Sequence, residues 1–259
     1  MCGIPGHRNF LSTISASVLN NQQSFMFTVA TVLIVPVYNP LPGWEKLLHQ
    51  RYTELADALS QPLQLCIVND GSTNGNFEPA ANWLQQQLPA VIIESYTGNK
   101  GKGAALRTGV KLVEAAHYVF TDVDFPYTTA SAVAIIKLMQ SGNADLVIGN
   151  RNNQYYRQIN SFRAGLSKLV RFFIRVLMRM PFDDTQCGLK SFNQKGKTIF
   201  LNTRIPTYLF DMEFVLQAVR SKAVVQTVAV ELRKDVHLSR MPLKVLLREL
   251  KNFIGLLFS

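Results

Sequence analysis

Apolar and polar positions along the chain follow two alternating patterns. Short apolar runs bounded by turn residues predict buried strands. These runs cover residues 31–37, 63–69, 90–96, 117–122 and 144–149. The segments between them repeat apolar residues three and four positions apart, which predicts helices at residues 44–59, 77–88, 103–116 and 130–141. This alternation predicts an α/β fold with a doubly wound, mainly parallel sheet and flanking helices.

Polar and turn-forming residues follow the predicted strands. They are VPVYNP (residues 35–40), NDGST (69–73), NKGKG (99–103) and TDVDF (121–125). Because the carboxyl ends of parallel strands meet at one edge of an open α/β sheet, these segments are expected to form one crevice that suits a nucleotide.

The glycine-rich segment at residues 98–103 matches neither the P-loop nor the dinucleotide-binding spacing. It nevertheless carries Lys100 and Lys102, with Arg107 following, beside glycines that open a predicted helix. Basic side chains and the positive end of a helix dipole both attract phosphate groups. We therefore expect these residues to neutralise a diphosphate at the start of this helix.

Residues 118–125 form a short apolar strand that ends in two carboxylates, Asp122 and Asp124. On a straight strand these two residues would point the same way but stay apart along the strand. Both carboxylates can therefore meet one cation only if the chain bends as it leaves the sheet. Carboxylate oxygens select hard cations such as Mg²⁺ or Mn²⁺. An isolated Asp-x-Asp is more often a pair of solvated turn residues, so this assignment depends on the surrounding motifs.

The composition is that of a globular protein. With 259 residues, of which 47% are hydrophobic and 17% charged, the chain can bury the core of one α/β domain or of one domain with an appendage. Its three cysteines have no metal-type spacing and are odd in number. They are expected to be structural thiols in a reducing compartment.

Charge is distributed unevenly along the chain. Residues 1–150 carry 8 Lys and Arg against 10 Asp and Glu, whereas residues 151–259 carry 19 against 7. The basic half is expected to face an anionic partner, for which nucleic acid, an anionic membrane surface and phosphorylated substrates all qualify. No helix-turn-helix, zinc or aromatic stacking signature accompanies the charge, so nucleic acid is the least favoured of the three.

Two basic segments favour membrane contact. In residues 162–180, Arg171, Arg175 and Arg179 recur every four residues beside an apolar face, and residues 240–259 repeat the theme. This is typical of a helix that lies at a membrane interface, although the same pattern fits helices packed on the sheet. We expect no membrane-spanning segment and no secretory leader, because no apolar run is long enough. Residues 1–28 are expected to be a flexible extension.

Seven motifs in order resemble glycosyltransferase family 2. They are VPVYNP (35–40), NDGST (69–73), NKGKGAALRTG (99–109), TDVDF (121–125), DLVIGNR (145–151), DTQCGLKSF (184–192) and FDMEF (210–214). Within that family the chain is most similar to dolichyl- and polyprenyl-phosphate sugar synthases, in particular the dolichyl-phosphate β-glucosyltransferase branch. The resemblance implies a GT-A fold over residues 29–235, followed by an amphipathic C-terminal segment at 236–259.

The resemblance also implies an inverting, metal-dependent transfer of a hexose from a nucleotide-sugar to a polyprenyl or dolichyl phosphate. Glucose from UDP-glucose is the expected donor group. GDP-mannose as donor, a glycan or protein as acceptor, and a non-catalytic relative are the alternatives. The enzyme is expected at the cytoplasmic face of a membrane, as a peripheral protein with a membrane-protein partner or as a homo-oligomer.

Site residues carry over from the family motifs to their matching positions. The donor site would comprise Pro36, Tyr38, Asp70, Lys100, Gly101, Lys102, Asp122, Val123, Asp124 and Arg240. Within this set Pro36 and Tyr38 would line the nucleoside pocket, Asp70 would hydrogen-bond the base, and Asp122 and Asp124 would hold Mg²⁺ or Mn²⁺. Arg240 would close over the diphosphate from a Ser-Arg-Met motif that replaces the family's Ser-Lys-Met.

The reacting centre would comprise Asp124, Arg151, Arg163, Ser167 and Asp184. Arg151, Arg163 and Ser167 resemble ligands of the acceptor phosphate, which is already an oxyanion and needs no strong general base. Asp184 matches a carboxylate that orients the sugar or an arginine.

Four further positions leave their roles open or depart from the family. The acidic residues of FDMEF, Asp211 and Glu213, would order the acceptor side or serve the structure. Pro40 replaces an acidic residue of the first motif, and Phe125 follows the aspartate pair where relatives carry a polar residue. These two departures affect nucleotide preference and metal geometry.

Overall fold

In the part of the chain that the structure describes, seven strands form one mixed sheet. The computed structural model describes residues 29–151 and 184–235, together with residues 249, 252, 253 and 255. The strands are β1 (Val29–Val37), β2 (Gln64–Asn69), β3 (Ile92–Ser95), β4 (Ala115–Phe120), β5 (Leu146–Arg151), β6 (Lys190–Phe192) and β7 (Val225–Val230). Their order in the sheet is β3-β2-β1-β4-β6-β5-β7. All paired neighbours are parallel except that β6 is antiparallel to both β4 and β5.

Six helices flank the sheet in the described part of the chain. They are α1 (Trp44–Leu59), α2 (Phe77–Gln87), α3 (Lys102–Leu112), α4 (Thr129–Gln140), α5 (Gln194–Leu201) and α6 (Phe210–Arg220). The α/β fold class and the first four helices are thereby confirmed. The predicted third helix was too long, because Ala115 and His117 pair with Val29 and Thr31 of β1 instead of continuing α3.

The core lies between the central strands and the helices. Val32 to Val35 of β1 and Leu146 to Ile148 of β5 have no exposed area, as expected for parallel strands covered on both faces. An aromatic cluster joins α5 and α6 to β4 and β6, and it comprises Phe120, Phe192, Phe200, Phe210 and Phe214. This cluster fixes the start of α6 beneath the carboxyl end of β4.

Four positions near the C-terminus are described, and all four are helical. Glu249 Oε2 accepts a hydrogen bond from the Leu209 backbone N–H at 3.0 Å, and Asn252 donates to Thr207 Oγ1 at 3.0 Å. At these positions the C-terminal segment packs on the domain, which is the second of the two alternatives for its amphipathic pattern. Among the residues described, no helix combines the length and apolarity that crossing a membrane requires.

Candidate active site

The loops after β1 and β2 are joined by side-chain to backbone hydrogen bonds. Asn39, in the left-handed region with a φ of 45°, donates from its backbone N–H to Ser72 Oγ at 2.9 Å. Its side-chain Oδ1 accepts from the Thr73 N–H at 2.7 Å. The carbonyl of Pro40 accepts from the Asn74 amide at 2.7 Å. Pro40 therefore anchors the second loop through its carbonyl.

Asp70 holds the glycine-rich loop. Its carboxylate accepts hydrogen bonds from the Tyr96 hydroxyl at 2.7 Å, the Asn99 amide at 2.9 Å and the Lys100 N–H at 2.7 Å. The Gly101 N–H also donates, at 2.9 Å. A carboxylate offers about four acceptor positions, so the loop fills its capacity. The structure thus directs Asp70 to the loop, and its predicted hydrogen bond to a nucleobase stays a prediction.

The start of α3 is capped by a backbone carbonyl from elsewhere in the chain. Pro206 O accepts from the N–H groups of Gly103 at 2.8 Å and Ala104 at 3.2 Å. Arg107 donates to Thr203 Oγ1 at 2.9 Å and to the Ile205 carbonyl at 3.1 Å. These contacts occupy the Gly103 and Ala104 N–H groups and one terminal nitrogen of Arg107. The expected neutralisation of a diphosphate by this helix start and Arg107 stays a prediction.

Asp122 and Asp124 lie in a turn at the carboxyl end of β4. The strand ends at Phe120, and the Phe125 N–H donates to the Asp122 carbonyl at 3.0 Å. Phe125 adopts a φ of 44°, in the left-handed region that side chains rarely occupy. The bend that the Asp-x-Asp pattern required is present. Burial, and then the like charge of Asp122, raise the pKa of Asp124.

The aspartate pair fits a hard divalent cation. Its ligands are carboxylate oxygens, and the mutual repulsion of the two charges favours a cation between them. Within the described residues no group of three or more His, Cys, Asp or Glu forms a closed metal site. Waters and substrate oxygens would complete the coordination, as is usual for Mg²⁺ beside phosphates.

Lys102 forms an ion pair with this carboxylate site. Its Nζ lies 2.5 Å from Asp122 Oδ1. Burial opposes the charge of Lys102, but Asp122 and Asp211 outweigh it and raise the pKa of Lys102 above its ordinary value. A Cβ at Gly188 would lie 2.7 Å from Asp122 Oδ2, so only glycine lets the Asp122 carboxylate take this position.

Asp211 is paired with a fully buried lysine. Lys190 Nζ lies 2.5 Å from Asp211 Oδ1 and donates to the Cys187 carbonyl at 2.5 Å. Glu213 accepts from the N–H groups of Arg204 at 2.8 Å and Ile205 at 2.7 Å. Asp211 therefore neutralises a buried lysine, and Glu213 fixes the backbone at residues 204 and 205. Such a structural role is one of the two interpretations that the sequence left open.

Arg151, the last residue of β5, forms a bidentate ion pair with Asp184, which lies in the chain before β6. Arg151 Nε and one terminal nitrogen donate to the two Asp184 oxygens, each at 2.6 Å. The Arg151 backbone N–H adds a third contact at 3.0 Å. Burial opposes ionisation, but Arg151 outweighs it and lowers the pKa of Asp184. Asp184 thus orients an arginine, as one of its two predicted roles required.

Most of the predicted donor-site residues lie along one edge of the sheet. Pro36 and Val123 are half-buried, and half of the Tyr38 side chain is exposed. Lys100 places its ammonium 4.3 Å from the centre of the Tyr96 ring. Arg163, Ser167 and Arg240 lie outside the described residues.

Sequence reasoning missed Lys190 and Pro206. Lys190 stands inside the DTQCGLKSF motif, and nothing in the sequence marked its side chain as buried, because a lysine is ordinarily exposed. Pro206 gave no signal, because it caps a helix that begins about a hundred residues earlier.

Comparison with known proteins defines the family. The model of Glycosyl transferase family 2 matches residues 32–199, which include the Asp122 and Asp124 turn and Asp184. The chain belongs to glycosyl transferase family 2. The match covers the sheet from β1 to β6 and most of α5.

A dolichyl-phosphate beta-glucosyltransferase of Trichomonas vaginalis is 27% identical over 208 residues. The match covers 77% of this chain and 64% of that relative, so this chain spans less than two thirds of its length. The resemblance to this branch of family 2, noted from the motifs, is confirmed.

Solved structures confirm the GT-A fold. Mannosyl-3-phosphoglycerate synthase from Rubrobacter xylanophilus superposes with a TM-score of 0.63 at 13% identity, covering 88% of this chain and 73% of that one. The mannosyltransferase PcManGT from Pyrobaculum calidifontis, in complex with GDP-Man and Mn²⁺, gives a TM-score of 0.51 at 15% identity. That match covers 79% of this chain and 56% of the mannosyltransferase.

Proposed function

We propose that this protein transfers a hexose from a nucleotide-sugar to the phosphate of a polyprenyl or dolichyl lipid. Glucose from UDP-glucose is the donor group that we favour, with Mg²⁺ or Mn²⁺ as the cation. One observation carries the proposal: the β4 turn presents two carboxylates, Asp122 and Asp124, at the carboxyl edge of a family 2 sheet. The relative from Trichomonas vaginalis supports the acceptor and the sugar.

The reaction is a direct displacement at the anomeric carbon of the sugar. A bond forms between an acceptor phosphate oxygen and this carbon, while the bond to the nucleoside diphosphate breaks and its electron pair leaves with the diphosphate. The acceptor phosphate is already ionised at neutral pH, so no strong base is needed. Asp211, buried against Lys190, is placed to support the site rather than to accept a proton.

The chain supplies charge to both ends of this displacement. Asp122 and Asp124 would hold the divalent cation, which stabilises the negative charge of the departing diphosphate. Asp184 fixes the guanidinium plane of Arg151, and arginine binds phosphate oxygens in a fork geometry. We assign Arg151, with Arg163 and Ser167, to the acceptor phosphate, and Asp184 to the orientation of Arg151.

Four donor-side positions complete the assignment. Tyr38, half exposed beside Pro36, would stack on the nucleobase. Lys100 and Arg240 would approach the diphosphate. Asp70 would act on the donor by fixing the Gly101 loop that its carboxylate binds.

The acceptor tail implies contact with a membrane surface. We propose that the protein binds the cytoplasmic face as a peripheral protein through its basic half. The test is flotation with liposomes that contain anionic lipid, at low salt. Recovery in the soluble fraction would refute membrane binding and leave the transfer reaction to be judged separately.

The reaction is tested by incubating the full chain with polyprenyl phosphate, Mg²⁺ or Mn²⁺ and a panel of UDP- and GDP-sugars. Released nucleoside diphosphate and the glycolipid are measured together. We expect lipid-dependent release with UDP-glucose. Asp124→Asn should abolish it, whereas Asp57→Asn, which changes an exposed aspartate of α1, should not. Release without lipid would replace the acceptor, release only with GDP-mannose would replace the donor, and no release would refute the proposal.

A further inference from the structure

Four alternating charges connect the protein core with the proposed cation site. They run from Lys190 through Asp211 and Lys102 to Asp122, with ion pairs of 2.5 Å at each end of the series. The two pairs are neighbours, since the Lys102 ammonium lies 5.9 Å from the ring of Phe210, the residue before Asp211. The Lys190 side chain has no exposed area, whereas those of Lys102 and Asp122 are 19% and 38% exposed. Lys102 and Asp122 are therefore the partly exposed end of this series, and Lys190 is its buried end.

The surroundings of Lys102 restrict where its ammonium can go. Lys102 is the first residue of α3, and the helix start is fixed by the Pro206 carbonyl. The Phe210 ring lies 5.9 Å from the ammonium, and the Gly188 backbone lies against the Asp122 carboxylate. With the backbone of Lys102 fixed in this way, the ammonium can leave Asp122 only by a short movement of the lysine side chain.

Lys102 and a divalent cation require the same carboxylate. The ammonium occupies Asp122 Oδ1, one of the oxygens that we assign to the cation. With Lys102 included, the three side chains Lys102, Asp122 and Asp124 carry a net charge of −1 rather than −2. Both effects weaken the attraction of the site for a cation that arrives alone.

A diphosphate would offer Lys102 another partner. Phosphate oxygens form charge-assisted hydrogen bonds with ammonium groups, and Lys102 lies beside the site assigned to the diphosphate. We propose that Lys102 holds Asp122 as an exchangeable counter-ion and releases it to a nucleoside diphosphate, so that divalent cation and nucleotide bind interdependently. This inference rests on the proposed function, since it assumes a nucleotide donor and a cation at Asp122.

The proposal predicts an effect on binding of the cation alone. Removing the ammonium should free Asp122 and raise the affinity for Mn²⁺ in the absence of nucleotide. A nucleotide that coordinates the cation directly would still promote cation binding in such a variant. The diagnostic quantity is therefore the affinity for Mn²⁺ alone, and a reduced coupling between Mn²⁺ and nucleotide is the second sign.

The experiment titrates the full chain with Mn²⁺ and follows free Mn²⁺ by electron paramagnetic resonance, without nucleotide, with UDP and with GDP. For Lys102→Met we expect Mn²⁺ alone to bind about tenfold more tightly than to the wild type, within the usual range of coupling between sites. The nucleotide should then improve Mn²⁺ affinity by a smaller factor than in the wild type. Lys102→Gln, which keeps a donor but no charge, should behave in the same way.

Lys111→Met is the matched control. Lys111 is exposed in the last turn of the same helix, so the variant removes an equal charge from α3 away from Asp122. It should bind Mn²⁺ as the wild type does, and equal tightening in both variants would replace the specific competition by a general charge effect. Thermal unfolding of each variant verifies that the fold is retained.

Unchanged or weaker binding of Mn²⁺ alone to folded Lys102→Met and Lys102→Gln would overturn the inference. Sugar transfer by the wild type would then leave the proposed function intact. If the wild type bound no Mn²⁺ with or without nucleotide, the inference would also fail. Absence of nucleoside diphosphate release from the wild type refutes the proposed function whatever the Mn²⁺ titrations give.

Discussion

Replacing Lys190 by methionine is the perturbation with the largest expected cost to stability. Its ammonium is fully buried and pairs with Asp211 at 2.5 Å, while also donating to the Cys187 carbonyl. Methionine fills a similar volume but leaves the Asp211 carboxylate buried with one partner fewer. Breaking a buried pair on one side costs about 3 to 5 kcal/mol.

The chain contains a matched comparison five residues away. Lys195 pairs with Asp145 at 2.8 Å, but its side chain is 49% exposed. Lys195→Met removes the same charge in the same way, and an exposed pair contributes about 0 to 1 kcal/mol. The two variants therefore separate burial from charge.

Thermal and urea unfolding, followed by circular dichroism, measure both costs. At about 2 to 4 °C per kcal/mol for a domain of this size, Lys190→Met should lower Tm by about 10 °C. Lys195→Met should lower it by less than about 4 °C. The double variant Lys190→Met with Asp211→Asn should regain part of the loss, because the orphaned charge is removed. Equal costs for the two single variants would refute the reasoning, as would a double variant less stable than Lys190→Met.

Three further predictions address the pair at β5, the glycine-rich loop and the nucleoside pocket. The pKa of Asp184 is lowered below its ordinary 3.8, so its stabilisation is present above that pH and is lost as pH falls through the lower folded-state pKa. The Tm difference between wild type and Asp184→Asn should therefore shrink between about pH 5 and pH 2, and a constant difference would contradict it. Gly101→Ala should cost about 1 to 3 kcal/mol more in urea unfolding than Gly75→Ala. Both glycines have positive φ, but only the Cβ at Gly101 would meet a carbonyl oxygen, at 2.5 Å; equal costs would dismiss this contact. Tyr38→Ala should weaken UDP binding in calorimetry by about tenfold, as loss of one base stack does. Leu41→Ala, at a more exposed side chain of the same loop, should not, and equal losses would argue against stacking.

The sequence predicted the parts of the fold that local pattern determines. Continuous apolar runs indicated β1, β2 and β5. A strand that is buried on both faces carries apolar residues at successive positions, so its sequence is easily recognised. The boundary between α3 and β4 was displaced, because Ala115 and Ala116 suit either structure and pairing with β1 decides between them. β6 was missed, because its three residues are too few for any period.

The candidate site divides in the same way. Strand ends predicted where Asp122, Asp124 and Lys102 meet, because parallel topology brings those ends to one edge. Long-range contacts were not predictable, since nothing near Asp70 indicates that its carboxylate will bind Gly101, thirty-one residues away. The cap at the start of α3 was not predictable for the same reason: its partner, Pro206, is close in space and distant in sequence.

The Arg151 and Asp184 pair also divides the chain into parts that can change independently. The pair joins Arg151 to Asp184, the residues on either side of positions 152–183. The strands on the two sides, β5 and β6, also pair directly with each other. The cost of closing a flexible loop rises only slowly with its length, by about 0.6 kcal/mol per doubling, so a fixed pair of ends tolerates chains of different length between them. A lineage of such proteins can therefore exchange the chain between Arg151 and Asp184 without breaking the contacts that hold its two ends together.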